Sequence, residues 1–130
     1  IKAYNPDTHK WLTGCSNEAI LRLPEKILKR NFVLEVLSLY IPGLVETDQL
    51  ESIARSLKQV DRSIPFTILA FFPEYRMKEF ARPAVWQMIE AYQRVKATGL
   101  ENIRLGNVGV FAPTKVDQDY LISCVGKGVF

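Results

Sequence analysis

The chain has 130 residues, 48% of them apolar, a size and composition that suit one domain with a substantial hydrophobic core. Its 17 basic and 14 acidic residues are mixed along the sequence and give a net charge of +3, so no basic tract indicates nucleic-acid binding. No apolar run reaches the roughly 20 residues that a membrane-spanning helix needs, and no stretch resembles a signal peptide, which predicts a cytoplasmic protein without membrane contact.

The first thirty residues predict a strand end followed by helical segments. Residues 1–3 have the pattern of a buried strand's end, and because the sequence begins without Met we expect further chain upstream. Turn formers at 4–8 lead to a loop or short helix that ends at Gly14. Asn17 can cap a helix that begins at Glu18. Pro24 lacks a backbone N–H, so we expect this helix to end near residue 23 and a second piece to start at the proline.

Residues 31–60 predict one complete strand–loop–helix unit. Residues 33–41 form a nearly continuous apolar run, which is typical of a strand covered on both faces in a parallel sheet. A Pro-Gly pair ends this strand. Thr47 or Asp48 can cap the following helix, with Glu51 placed for a capping box with Asp48. The loop between strand and helix is where α/β proteins commonly place functional residues.

Two similar units follow in the second half of the chain. Residues 64–72 predict another buried strand, after which come a polar loop at 73–82 and a helix from Pro83 to Gly99. Residues 102–108 predict a further strand, and a short one is expected at 110–111. The alternation of strands and helices predicts an α/β protein with a four-stranded parallel sheet and helices mainly on one side.

Several polar side chains lie at predicted strand ends. Glu74, Tyr75 and Arg76 share one loop and can offer a ligand an acceptor, a phenol and a guanidinium, although ordinary loop polarity gives the same pattern. Asn107 lies between two glycines, where it can bind a ligand's polar edge or simply end the strand.

Two further polar residues interrupt the apolar strand at 33–41. Strand alternation puts Ser38 and Tyr40 on one face and Glu35 and Leu37 on the other. A buried carboxylate is costly without a partner, so we expect Glu35 to meet a cation or to lie at an exposed edge. Whichever face lines a cavity would bring its polar residues to a ligand.

The residues that bind metals are few and scattered. His9 is the only histidine, and Cys15 and Cys124 stand far apart without a CxxC-type spacing. These residues predict reduced cysteines and no metal site within this chain.

Five short motifs occur in the order expected for a known family. They are Lys2 in IKA, HKWLTGCSN at 9–17, YIPG at 40–43, FFPEYRM at 71–77 and GLENIRLGNV at 99–108. Together they span nearly the whole chain up to about residue 111. The set resembles the second half of the pyruvate formate-lyase activating enzymes and related proteins of the radical S-adenosylmethionine (radical SAM) superfamily.

This resemblance implies a TIM-like partial barrel of six β/α units, in which a 4Fe-4S cluster reductively cleaves S-adenosylmethionine. The family binds its cluster through a CxxxCxxC motif, which this chain lacks. Residues 1–112 are accordingly predicted to be about half of the barrel, its C-terminal half, and residues 113–130 a C-terminal tail. We expect such a piece to be inactive alone, to need the missing N-terminal half-barrel, and to self-associate through its bare edges. A protein substrate would fit the family.

Some residues of this chain match the family's functional residues and others differ from them. Lys2 matches the lysine of an Asp-x-Lys element near the cofactor. Leu37 stands where the activating enzymes have a cofactor-binding arginine, and Tyr75 where they have a histidine, so the less characterised branch of the family is the better match. The predicted cofactor contacts are Lys2, Ser38, Tyr40, Glu74, Tyr75 and Asn107. The alternative is a non-catalytic α/β module that binds a partner or a small molecule.

Overall fold

Three parallel strands form the centre of the protein, and they lie side by side in the order in which they occur in the sequence. The computed structural model describes all 130 residues. Val36 is paired with Phe66, and Phe66 in turn with Ile103. The strands are β1 (Val36–Tyr40), β2 (Phe66–Ala70) and β3 (Ile103–Gly106).

Six helices connect and flank these strands. In chain order they are α1 (Pro6–Thr13), α2 (Glu18–Leu28), α3 (Thr47–Val60), α4 (Val85–Ala97), α5 (Val108–Phe111) and α6 (Lys115–Val125), with a 3₁₀ turn at Tyr75–Met77. Helix α3 packs against α2, α4 and β1, and α4 packs against α6 and β3. None of these helices combines the length and the apolar composition needed to cross a membrane.

The two faces of the sheet differ in how well they are covered. The face toward the helices carries buried residues such as Phe66, Ile68 and Leu105, which form one core with Leu50 and Met88 of α3 and α4. Strand alternation sends the intervening residues to the other side. We call that side the open face, and it consists of Leu37, Leu39, Thr67, Leu69, Arg104 and Gly106. Leu37 remains 45% exposed there.

The predicted α/β class with parallel strands and alternating helices is confirmed, but the sheet has three strands instead of four. Residues 1–3 form no regular strand, although the Ile1 main-chain nitrogen donates to the Leu37 oxygen across 2.8 Å and Ala3 is buried. A single backbone bond leaves this segment short of a ladder.

Two local predictions about helices are wrong. Pro24 lies inside the continuous helix α2, because its ring is buried and this burial offsets the one backbone hydrogen bond that it removes. Helix α3 begins at Thr47 without a side-chain cap. Glu51 does not form the predicted capping box, since its carboxylate pairs with Arg55 and Arg94.

The last part of the chain is helical and packs against the hydrophobic core. The strand expected at 110–111 is instead the end of α5, and residues 115–125 form α6. Leu121 of α6 is fully buried in the common core. After α6 the chain returns to the sheet, where the Leu105 nitrogen donates to the Val129 oxygen across 2.8 Å. The boundary at residue 112 between a half-barrel and a C-terminal tail stays a prediction.

Candidate functional site

The carboxyl ends of the strands meet at one edge of the sheet, the edge where parallel α/β proteins bind ligands. Asn107 follows β3 with a positive φ of 58° and begins α5. Its Nδ2 donates to the main-chain oxygen of Ala70 across 2.9 Å. The side chain therefore ties the end of β3 to the end of β2, a structural role that one of its two sequence interpretations anticipated.

Lys2 borders the open face. Ile1 packs against the core and Ala3 is buried, so alternation turns the exposed Lys2 toward the side of Leu37 and Leu39. A shallow cavity of about 200 Å³ lies there. Lys2 takes part in none of the protein's salt bridges, which leaves its ammonium available to an anionic group. The residues lining this cavity are Ile1, Lys2, Leu37, Ser38, Leu39 and Leu69.

Ser38 and Tyr40 share one face of β1, as alternation predicted, but that face points toward the helices. Both side chains are buried, and the Ser38 hydroxyl has no hydrogen-bond partner. Burial, and next the charge of Glu46, raises the pKa of the Tyr40 phenol. Ser38 lines part of the cavity beside Lys2, but its hydroxyl is buried away from the open face, and Tyr40 does not line this cavity.

The carboxylate of Glu35 lies exposed beside the edge strand β1, which is one of the two expected alternatives, and its partner is neutral. Its Oε1 accepts a hydrogen bond from the Thr67 hydroxyl across 2.9 Å, on the open-face side of β1 and β2. This bond joins the starts of the two strands.

The loop after β2 holds the remaining predicted contacts at the surface. Tyr75 has a φ of 51° and is 77% exposed, and the Arg76 guanidinium carbon lies 5.2 Å from the centre of its ring. Glu74 is exposed beside them. These three residues share one exposed loop, as expected, and Arg76 contacts the ring of Tyr75.

An aromatic contact that the sequence interpretation missed anchors this loop. The ring centre of Phe80 lies 6.2 Å from that of Trp11 and 6.5 Å from that of Phe71, edge-on to the latter. Helix α1 and the loop at 71–82 are thereby joined across the carboxyl end of β2. Aromatic residues distant in sequence carry no local signal of such a contact.

The chain's own donors do not fit a 4Fe-4S cluster. Such clusters are bound by several cysteine thiolates. Cys15 is exposed between α1 and α2, Cys124 lies on α6, and no group of three or more His, Cys, Asp or Glu residues is placed to bind a metal ion. His9 is buried on α1, so the short helix, one of the two alternatives expected before Gly14, is the one that forms.

No protein-family model matches this sequence. A curated protein of Methanocaldococcus jannaschii, provisionally named a glycyl-radical enzyme activating enzyme, is 35% identical to it over 75 residues. That alignment covers 55% of this chain and 29% of the relative. The chain thus matches less than a third of the relative's length. The match supports a relationship to activating enzymes of this kind, in agreement with the resemblance carried by the motifs.

Proposed function

We propose that this chain is the C-terminal half-barrel of a radical SAM protein related to the glycyl-radical enzyme activating enzymes. The single observation that carries the proposal is the strand order. Parallel strands in sequential order, with their helices packed on one side, form a sheet that winds in one direction, as in a β/α barrel. A doubly wound sheet instead reverses its strand order. The partial match to an activating enzyme agrees with this geometry.

The open face has the character of a barrel interior. Its centre is apolar, with Leu37, Leu39 and Leu69, while the cations Lys2 and Arg104 lie on either side. Gly106 brings its backbone so close to Leu69 that a β-carbon there would lie 2.4 Å from Cδ2. An apolar surface bordered by cations suits a ligand that combines apolar parts with an anionic group.

Within this proposal Lys2 binds the carboxylate of S-adenosylmethionine, and Glu74, Tyr75 and Asn107 border the same end of the sheet. Ser38 and Tyr40 support β1 from the helix side. The cysteines that hold the 4Fe-4S cluster belong to another part of the protein, because this chain does not supply them. The complete protein would be an oxidoreductase that cleaves S-adenosylmethionine reductively, and this chain alone would be inactive and self-associate.

A chimera tests the proposal directly. The part of the Methanocaldococcus protein that precedes the matched segment is joined to this chain, loaded with iron and sulfide without oxygen, and assayed for 5′-deoxyadenosine. We expect product from the wild type and from Lys10→Met, a control at an exposed lysine of α1, and much less from Lys2→Met. A folded, cluster-containing chimera that does not bind S-adenosylmethionine would refute the proposal.

The isolated chain provides a second test of where the cluster lies. Reconstitution of these 130 residues with iron and sulfide should give no stable cluster, and gel filtration should show self-association. A full cluster spectrum on the isolated chain would contradict the assignment of the ligands to another part of the protein.

A further inference from the structure

A polar pocket lies on the helix side of the sheet, between the beginnings of α3 and α4. Its volume is about 260 Å³. Because Tyr40 faces the helices, this pocket is separate from the open face and from the cavity beside Lys2. We call it the α3–α4 pocket. Its lining residues are Tyr40, Glu46, Thr47, Asp48, Trp86, Gln87 and Glu90.

Three carboxylates surround the α3–α4 pocket, and no lysine, arginine or histidine lines it. Glu46, Asp48 and Glu90 take part in none of the protein's salt bridges. The Oε1 atom of Glu46 accepts a hydrogen bond from the Gly43 nitrogen across 2.9 Å, which holds this carboxylate in place. The pocket therefore collects negative charge that the chain does not neutralise with a cation of its own.

The floor of the pocket carries two hydroxyl groups on buried side chains. Tyr40 is 4% exposed and Thr47 is 7% exposed. The Tyr40 hydroxyl has no partner in hydrogen-bonding geometry, although the Thr47 hydroxyl lies near it, and it is not sealed within the core. Buried polar groups are as a rule hydrogen-bonded, so this oxygen is open to a donor that enters the pocket.

The charges around the pocket act together on its floor. Burial, followed by the charges of the three carboxylates, raises the pKa of the Tyr40 phenol. A cation bound above this hydroxyl is therefore attracted by all three carboxylates at once.

An aromatic ring stands beside the carboxylates. Trp86 is 58% exposed and lies one helical turn before Glu90, so both side chains project from the same face of α4. The face of an indole ring attracts cations, and tryptophan does so better than the other aromatic residues. The pocket thus offers a cation an aromatic surface in addition to negative charge.

These features favour an organic cation. The carboxylates are not grouped closely enough to bind one metal ion. A guanidinium group is planar, donates hydrogen bonds in several directions and stacks on aromatic rings, which matches acceptors on opposite walls beside an indole.

We propose that the α3–α4 pocket binds a guanidinium group, which stacks on Trp86 and donates hydrogen bonds to the surrounding carboxylates and to the Tyr40 hydroxyl. This site is distinct from the one proposed for S-adenosylmethionine. Its test therefore does not depend on the cofactor or on the rest of the barrel.

The test follows the indole N–H signals of the full chain by NMR during a titration with n-propylguanidinium chloride. Sodium chloride keeps the ionic strength constant. The chain has two tryptophans, so Trp86→Phe assigns the Trp86 signal. We expect a saturable shift of this signal and none of the Trp11 signal, since Trp11 lies on α1. An absent shift, or one that sodium chloride alone reproduces, would overturn the proposal.

Substitutions identify the groups that bind the probe. Glu90→Gln removes one charge at an exposed position and should weaken n-propylguanidinium binding about fivefold. Tyr40→Phe keeps the ring, removes only the hydroxyl and should weaken binding about threefold. Glu79→Gln is the matched control, because Glu79 is exposed and lies outside the pocket. Equal affinities of the Glu90→Gln and Glu79→Gln chains would contradict the proposed contacts.

Three probes of equal charge define the ligand further. n-Propylammonium lacks the planar fork and should bind about threefold more weakly than n-propylguanidinium, and equal binding would overturn the guanidinium assignment. N-acetyl-arginine-amide presents the guanidinium as a polypeptide does, whereas n-propylguanidinium represents a free small molecule. Binding of either guanidinium probe supports the proposal, and the tighter of the two identifies the source of the group.

Discussion

The side-chain amide of Asn107 donates to the main-chain oxygen of Ala70 across 2.9 Å, joining the carboxyl ends of β2 and β3. Asn107 also adopts a φ of 58°, which asparagine and glycine tolerate better than other residues. One residue thus provides both a hydrogen bond and an unusual backbone conformation.

These two contributions can be separated by substitution. Asn107→Gly keeps the backbone conformation and loses the hydrogen bond, which should lower the free energy of unfolding by about 1 kcal/mol. Asn107→Ala adds the left-handed backbone strain and should cost about 1–2 kcal/mol more. Urea unfolding of the two variants measures the difference. Equal stability of both would show that the backbone conformation carries no cost at this position.

Gly106 leaves room for a side chain only if the terminal methyl of Leu69 moves. A β-carbon there would lie 2.4 Å from Leu69 Cδ2, so Gly106→Ala should destabilise the protein by about 1–3 kcal/mol. Leu69→Ala in the same chain removes the clashing atom and should recover part of this loss relative to the sum of the single changes. Gly109→Ala is the control, because nothing lies within 4 Å of its added carbon. Strict additivity of the Gly106 and Leu69 changes would contradict the predicted clash.

The buried hydroxyl of Ser38 provides a test that separates scaffold from ligand contact. Its Oγ has no partner, so Ser38→Ala should stabilise the isolated chain by about 1 kcal/mol, measured by thermal unfolding. Thr67→Val is the comparison. It breaks the bond to Glu35 and should destabilise the chain instead. If Ser38→Ala lowered the binding of S-adenosylmethionine in the active chimera, the helix-side role proposed for Ser38 would be wrong.

The two arginines around Glu51 predict a dependence of stability on pH. Hydrogen bonds from Arg55, then from Arg94, hold the pKa of the Glu51 carboxyl below its usual value of 4.5. Because the folded pKa is lowered, the stabilisation is complete above pH 4.5 and is lost as the pH falls through the folded value. Glu51→Gln should therefore destabilise the protein at pH 7 and flatten the loss of stability in acid.

The matched control for this pH experiment is Glu79→Gln, at an exposed carboxylate outside the salt bridges. Its unfolding midpoint should follow the wild type from pH 7 downward. A Glu51→Gln curve parallel to the wild type in acid would show that the two arginines do not act through this carboxylate.

The sequence predicted the elements whose signals are local. The apolar runs around β1 and β2 are visible in consecutive residues, and the parallel class follows from the alternation of strands and helices. Consecutive residues do not show which side of the sheet will face the helices. Alternation grouped Ser38 with Tyr40 correctly, but only the packing of α3 and α4 shows that both face the helical layer.

Two other differences between prediction and structure have separate physical reasons. Pro24 was expected to divide α2 because its lost hydrogen bond can be read from the sequence, whereas the burial that offsets it depends on tertiary contacts. Helix α6 did have a local signal that was overlooked. Thr114 and Asp117 form a capping box, in which the Asp117 nitrogen donates to the Thr114 hydroxyl across 3.1 Å.

The bond between Leu105 and Val129 has a counterpart on the other side of the sheet, where the Ile1 nitrogen donates to the Leu37 oxygen. Each outer strand thus meets one irregular segment of the chain through a single backbone bond. Neither bond extends into a ladder, so outward-facing N–H and C=O groups remain on both edges for pairing with another strand. Edge-to-edge association can therefore begin on either side of the sheet.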